Sequence, residues 1–457
     1  MTAPVTDSLE QWLDREYPHA ATVMLTSISA RDIVKERPGF GQTMRPVAGS
    51  IVASPVPGAY DPDPDYFFHW FRDSAIVIDA VRLLYEAGHL GAAALTHFAD
   101  FVRFSLSLQA LDGRALVASP HWRRKVTPAF EQYLRGDDLS TVFGDAVYAD
   151  TRVNPDGTLD ISRWARPQHD GPPLRALVVL RWLRTLGGDQ RRAPETLSAA
   201  TLADTERLLR IDLEFTAARW REPSHDIWEE ELGLHYFTLR VSAAALNEGA
   251  EWLGAAGETS RATALRAEAQ AIRATLDRFW LEDAGHYRSR IMPPGVVSTK
   301  MLDIAVILSA VHAADGDEVH SVRDARMHAT LEKLERLFDR LYPINRQRPP
   351  ERAPAMGRYE GDTYYSGGAY YFSTLGASEF CFLAAAAYAP GSEERKAWIA
   401  RGDGFLETVR AFTPASGDLS EQFDQRTGEQ TSAKHLAWSY AGFISCVTAR
   451  RAVVHRD

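Results

Sequence analysis

The sequence predicts an all-α protein, an (α/α)6 barrel: a toroid of six helical hairpins with long loops gathered on one face. Three observations predict it. Apolar residues recur at three- and four-residue steps along nearly the whole chain, in about thirteen separate stripes. Continuous β alternation is scarce, with Ser50-Ile51-Val52-Ala53 the best short candidate. The connections alternate between brief and long, which suits hairpins set side by side around a ring.

Taken in order, the stripes predict helices over 7–17, 19–33, 72–88, 91–111, 171–187, 203–219 and 236–256. They continue over 260–279, 299–314, 323–342, 370–389, 393–413 and 433–452. The stripe from Ser260 is representative. Ala262, Leu265, Ala269, Ile272, Leu276 and Phe279 share one face, and Arg261, Arg266, Glu268 and Arg273 stand outside it. Brief connections include Glu86-Ala87-Gly88-His89 and Ala389-Pro390-Gly391-Ser392. Long ones, rich in Pro, Gly and Asp, span 37–70, 112–170, 218–235, 284–298, 343–369 and 414–432. Loops beyond about 12–15 residues are usually functional or disordered, and Trp, Tyr, Arg and paired acids in these argue for function. No linker composition interrupts the pattern, so one domain is expected over 1–457.

Composition narrows the function. Hydrophobic residues make 45% and charged residues 25% of the chain, the balance of a soluble globular protein. No apolar run reaches the roughly 18 residues that a membrane helix needs, so no membrane partner is expected. The start, MTAPVTDSLEQWLDREY, has early acids and no apolar core, unlike a secretory signal; a cytoplasmic location is the expectation. A net charge of −10 opposes a nucleic-acid surface, and the cluster Arg123-Arg124-Lys125 is too short to reverse it. Cys381 and Cys446 sit in apolar segments and read as buried thiols, and two cysteines exclude a cysteine-type metal centre. No cofactor or metal is expected, and a monomer is the default. Eleven Trp, sixteen Tyr and twenty Phe exceed what helical packing asks for, and several stand beside acids. Aromatic faces with carboxylates suit a carbohydrate site, whose ligand has apolar ring faces and many hydroxyls.

Five segments carry the chemistry. Asp226-Ile227-Trp228-Glu229-Glu230-Glu231 and Ser420-Glu421-Gln422-Phe423-Asp424 each place a carboxylate beside aromatics at the edge of a helix. Two carboxylates flanking a sugar can break a glycosidic bond, one giving a proton and one handling water. The indole of Trp228 would raise the pKa of a neighbouring acid by desolvation. Each stretch also has a bland reading, as a charged first turn or a capping carboxylate. Tyr66-Phe67-Phe68-His69-Trp70-Phe71-Arg72-Asp73 adds an Arg-Asp pair among five aromatics. Trp164-Ala165-Arg166-Pro167-Gln168-His169-Asp170 and Gly357-Arg358-Tyr359-Glu360-Gly361-Asp362-Thr363-Tyr364-Tyr365 complete the set. His169 lacks accompanying metal-ligand spacing and reads as a structural hydrogen-bonder.

In this order the five segments resemble the glucoamylase family (glycoside hydrolase family 15), with Gly49–Pro55 and Trp438-Ser439-Tyr440 adding to a match from about Ser8 to Phe443. The resemblance implies an (α/α)6 barrel with a pocket at one end and exo-acting, inverting release of β-glucose from non-reducing chain ends. It implies Glu229 as general acid, Glu421 as the base that activates water, and Glu230 as a binder of the neighbouring sugar. Arg72 and Asp73 would grip the terminal glucose, Arg358 and Asp362 would bind across the cleavage point, and Tyr66 would face the oxocarbenium ion. Trp70, Trp164, Trp228, Tyr364, Tyr370 and Trp438 would wall the subsites, with Trp164 also positioning Glu229. Inversion implies carboxyl groups roughly 6.5–9.5 Å apart. No stretch resembles a starch-binding module or an N-terminal β domain, which points to soluble oligosaccharides as substrate. Departures lie at Glu231-Leu232-Gly233-Leu234-His235, at Phe68, at Tyr370 and at Gly361, where Glu360 could stand in for a usual acid. They leave an α-1,6-glucosidase or a trehalase on the same scaffold as alternatives, and a non-catalytic sugar-binding protein as a more distant one.

Overall fold

The computed structural model describes residues 7–58, 63–188, 197–314, 316 and 318–454. Thirteen α-helices form among them: α1 (Leu9–Leu25), α2 (Phe71–Glu86), α3 (Ala92–Ser107), α4 (Gly113–Ala118), α5 (Gly171–Gly188), α6 (Ala199–Arg219) and α7 (Tyr236–Ala255). Then follow α8 (Thr259–Leu276), α9 (Ala305–Ala313), α10 (Ala325–Leu341), α11 (Tyr371–Ala385), α12 (Glu393–Phe412) and α13 (Ala437–Val454).

Contacts run from α2 to α5, α7, α9, α11 and α13 in turn, and from α13 back to α2, which closes an inner ring. Outside it α1 packs on α13, α3 on α2, α6 on α5, α8 on α7, α10 on α9 and α12 on α11. Hydrophobicity sorts the two layers. In α9 seven consecutive residues, Ala305–Val311, are buried, as an inner helix touched from all sides requires. In α10 only one stripe is buried, including Leu331, Leu334 and Phe338, while Glu332, Lys333 and Arg336 take the outer side. Neighbouring inner helices approach closely: a Cβ at Gly376 of α11 would stand 2.2 Å from Leu308 of α9.

Because the chain alternates outer and inner, every inner helix runs in the same direction. The six connections entering inner helices are the long ones, and they collect at the N-terminal ends of the ring. They are not wholly irregular. His69–Trp70 pairs with Arg152–Val153, Ser224–His225 with Leu232–His235, and Ser420–Phe423 with Gln430–Lys434. Among the described residues no helix is long and apolar enough to cross a membrane.

Two local expectations are corrected. The stripes at 7–17 and 19–33 are one helix: α1 runs through Pro18, with a capping box at Ser8 fixing its start. Ser50–Ala53 is not a strand; Ile51 makes only an isolated bridge to Ile28. Cys381 and Cys446 are both buried and free, as their apolar settings predict.

Candidate active site

The N-terminal ends of the inner helices surround a cavity of about 250 Å3. Its lining takes Tyr66, Trp70, Arg72 and Asp73 from the entry to α2, and Trp228, Glu229 and Glu230 from the loop before α7. Trp164, Arg358, Tyr364, Glu421 and Trp438 complete the predicted set on this wall. Twelve of the fourteen residues expected from sequence therefore meet at one place. Inner-helix N-termini add the positive ends of their dipoles to a site rich in carboxylates.

Glu229 sits at φ 65, a left-handed conformation that a glutamate adopts at a cost of about 1–3 kcal/mol. The turn that imposes it is built by Asp226. Its carbonyl accepts from the Glu229 N–H at 2.9 Å, and its Oδ1 accepts from the N–H groups of Glu230 and Glu231 at 2.7 and 3.1 Å. Gln168 ties the turn to the Trp164 loop by donating to the Asp226 carbonyl at 2.7 Å. So aimed, the Glu229 carboxylate accepts from Trp70 Nε1 at 2.7 Å, from Arg72 Nη2 at 3.2 Å, and from Trp164 Nε1. The sequence-based environment was otherwise: the adjacent indole of Trp228 turns away from Glu229 and donates to Asp303 at 2.9 and 3.1 Å.

Glu421 has a different setting. It is buried, the Ser432 hydroxyl donates to Oε2, and the Tyr66 hydroxyl donates to Oε1 at 3.3 Å. Burial pushes its carboxyl up to about 7, against the lowering influence of Ser432, Arg358 and Tyr66. Arg72 and Asp73 line the same cavity. Arg72 meets Asp73, Asp170 and Glu229 at 3.2–3.3 Å, and burial pushes Asp73 upward while Arg72 opposes it. Asp73 Oδ2 is buried and faces the Arg72 guanidinium at 3.3 Å as an ion pair without hydrogen-bond geometry.

The floor is aromatic. Phe372 stacks on Trp438 with ring centroids 4.4 Å apart, and Trp228 stacks over both at 5.9 and 6.5 Å. On the loop side, Glu230 receives Arg358 at 3.1 Å, Lys300 at 2.5 Å and the Tyr359 hydroxyl.

Two expectations need correction. Asp362 and Tyr370 do not reach the cavity. The Asp362 side chain is 1% exposed and holds Arg358 through two hydrogen bonds, and the fully buried Tyr370 donates to Asp362 at 2.9 Å. They fix the Arg358 guanidinium rather than offering groups of their own. Gly361 has φ +85, a turn conformation that glycine adopts freely, and Glu360 points outward to Arg340 at 3.6 Å, so it does not stand in for a missing site acid. Sequence reasoning missed Phe372, Ala53, Ile227 and Leu436 on the wall. It also missed Ser432 and Arg290, whose partners lie 11 and more positions away. Among the described residues no group of three or more His, Cys, Asp or Glu is placed to hold a metal ion.

The family model for glycosyl hydrolases family 15 matches residues 38–105 and 151–448. A glucoamylase of Blastobotrys adeninivorans is 26% identical over 439 residues, 85% of this chain and 65% of that relative. A probable glucoamylase of Schizosaccharomyces pombe is 26% identical over 483 residues, 98% of this chain and 93% of the relative. Among solved structures, the glucoamylase from Saccharomycopsis fibuligera superimposes with a TM-score of 0.77 at 20% identity, covering 99% of this chain and 98% of that one. The Hormoconis resinae glucoamylase gives 0.75 at 25% identity, over 97% and 74%.

Proposed function

Because the chain belongs to glycosyl hydrolases family 15, and so is a glycoside hydrolase, we propose that it is an inverting, exo-acting α-glucoside hydrolase of the glucan 1,4-α-glucosidase type, releasing β-glucose from non-reducing ends of malto-oligosaccharides and related glucans. One observation carries the reading: Glu229 and Glu421 open onto a single small cavity that also holds Arg72 and Asp73. At about 250 Å3 it falls below the roughly 300–1,000 Å3 of ordinary ligand pockets, which suits a chain end and not a continuous groove. A sugar hydroxyl would add a hydrogen bond at Asp73 Oδ2, whose contact with Arg72 lacks hydrogen-bond geometry.

In this mechanism Glu229 gives its proton to the glycosidic oxygen as the C1–O bond breaks, and a water attacks C1 from the opposite face. Glu421 takes the proton from that water as the new C1–O bond forms, which inverts the anomeric centre. Glu229 ends ionised and Glu421 protonated, and solvent restores both. The ring would rest against the aromatic wall that includes Trp438.

Time-resolved 1H NMR of fresh digests of maltotriose and isomaltotriose tests this. β-Glucose should appear first from maltotriose, equilibrating later with the α anomer. α-Glucose first would remove the inverting reading, preferential cleavage of isomaltotriose would move the activity to α-1,6 bonds, and no glucose at all would leave a binding protein.

The setting of Glu421 predicts a pH dependence. A base works ionised, so kcat/KM should rise with pH through a value near 7. The Ser432 hydroxyl bonds the charged form, so Ser432→Ala should move that ascending limb upward by roughly half to one pH unit. An unmoved or lowered limb in a pH–rate profile would contradict it.

A further inference from the structure

The two indoles that donate to Glu229 rest on a common support. Arg152, in the short strand opposite Trp70, places its guanidinium 3.6 Å from the centroid of the Trp164 ring, 3.9 Å from that of Phe68 and 4.7 Å from that of Trp70. Phe68 carries a second guanidinium, Arg37, at 3.7 Å. Two guanidinium groups that close cannot share one ring face, so they lie on opposite faces. Arg37, Phe68, Arg152 and Trp164 thus form a column of alternating cations and rings, and the last ring in it holds the carboxylate of Glu229.

The column is buried except at its end. Arg37, Phe68 and Arg152 are 5%, 3% and 3% exposed, whereas Trp164 is 39% exposed. Asp65 accepts from Arg37 at 2.6 Å and Asp160 from Arg152 at 2.9 Å, so neither cation is left uncompensated. Ion pairing alone does not account for Arg152: Asp160 is already served by Arg166 at 2.9 Å, and pairing requires no stack between rings. A planar guanidinium suits that stack, and a lysine ammonium does not reproduce it.

A half-exposed tryptophan on a loop needs a fixed face if its N–H is to keep a carboxylate in place, and a misplacement near 1 Å can cost about a hundredfold in rate. We propose that Arg152 is a positioning residue for the reaction: stacked between Phe68 and Trp164 and beneath Trp70, it locks the two indole N–H groups that hold the proton donor Glu229. The proposal rests on Glu229 being that donor.

The test compares two substrates that share the glucosyl unit and differ in their need for a proton. Maltose expels a sugar alkoxide that must be protonated; α-D-glucosyl fluoride expels fluoride with little assistance. Glu229→Gln should lose far more activity on maltose than on the fluoride. Arg152→Met should follow the same pattern, with kcat on maltose lower by roughly ten- to thirtyfold, KM changed less than about threefold, and the fluoride affected less than about threefold. Arg152→Lys should recover part of the loss. Phe68→Leu keeps every ion pair and should lower maltose turnover in the same substrate-selective way, by about threefold; if Arg152→Met fails to fold, this variant decides. Equal losses on both substrates, or full maltose turnover, in Arg152→Met or Phe68→Leu while Glu229→Gln discriminates would overturn the positioning role alone. Equal losses in Glu229→Gln would overturn the donor assignment and this proposal with it.

Discussion

Glu229→Gln should lower kcat on maltose by about a thousandfold or more, with KM changed only a few-fold and the fold intact. A glutamine has the shape of the acid and no proton to give, so the leaving alkoxide departs unassisted. Retained shape is also why the chain should stay folded. Arg72 keeps Asp73 and Asp170 as partners at 3.3 Å, so no buried cation is stranded. The substitution is not silent locally. The carboxylate now satisfies donors on both oxygens, Trp70 on Oε1 and Trp164 on Oε2, whereas an amide offers one acceptor and sets its NH2 against the other indole. That conflict predicts a modest KM change superposed on the loss of kcat. Steady-state kinetics with circular dichroism checks both, and a variant within tenfold of the parent kcat would sink the assignment.

The parts of the fold and site legible in sequence are those that local chemistry decides. Buried stripes and long loops before every inner helix made the ring readable, because each helix carries its own burial pattern. The Arg72-Asp73 pair and the two acid stretches were readable only together: each alone also fits a charged first turn, a cap or a structural pair, and it is the five segments in order that resemble one family. What stayed hidden depends on distant partners. Phe372 lies in Tyr370-Tyr371-Phe372, a run indistinguishable from core, and only the stack on Trp438 makes it part of the wall. Tyr370 and Asp362 share the site's composition, yet Arg358 stands in front of them. Trp228 adjoins Glu229 in sequence and faces Asp303 in space, since the left-handed backbone at Glu229 sends successive side chains apart. Pro18 would end most helices, and packing of α1 on α13 overrides it.

Arg290 is the clearest of these long-range ties, and replacing it should be the most destabilising single change near the site. It is 1% exposed and meets Glu231 at 2.7 Å, Asp303 at 2.7 Å and Asp226 at 3.2 Å. Asp226 builds the turn that aims Glu229, and Asp303 holds Trp228. Arg290→Met leaves fully buried Asp303 without its cation, a change worth about 3–5 kcal/mol. For a chain of this length the unfolding entropy is on the order of 1 kcal/mol per kelvin, so Tm should fall by about 3–5 °C at neutral pH. The pH dependence follows from the sign of the shift. Burial already pushes Asp303 up to about 6 despite Arg290. Below that value parent and variant both hold the proton and the deficit is smallest. Above it the parent ionises while the variant, whose carboxyl loses the lowering influence of Arg290, keeps its proton to higher pH, so the deficit grows with pH. Scanning calorimetry of parent and variant at pH 5 and pH 7.5 should therefore show the larger gap at pH 7.5. Activity should fall with stability, because the Glu229 turn and the Trp228 wall loosen together. A gap that is equal at both pH values, or larger in acid, would mean that Arg290 serves as packing rather than as the counter-charge of Asp303.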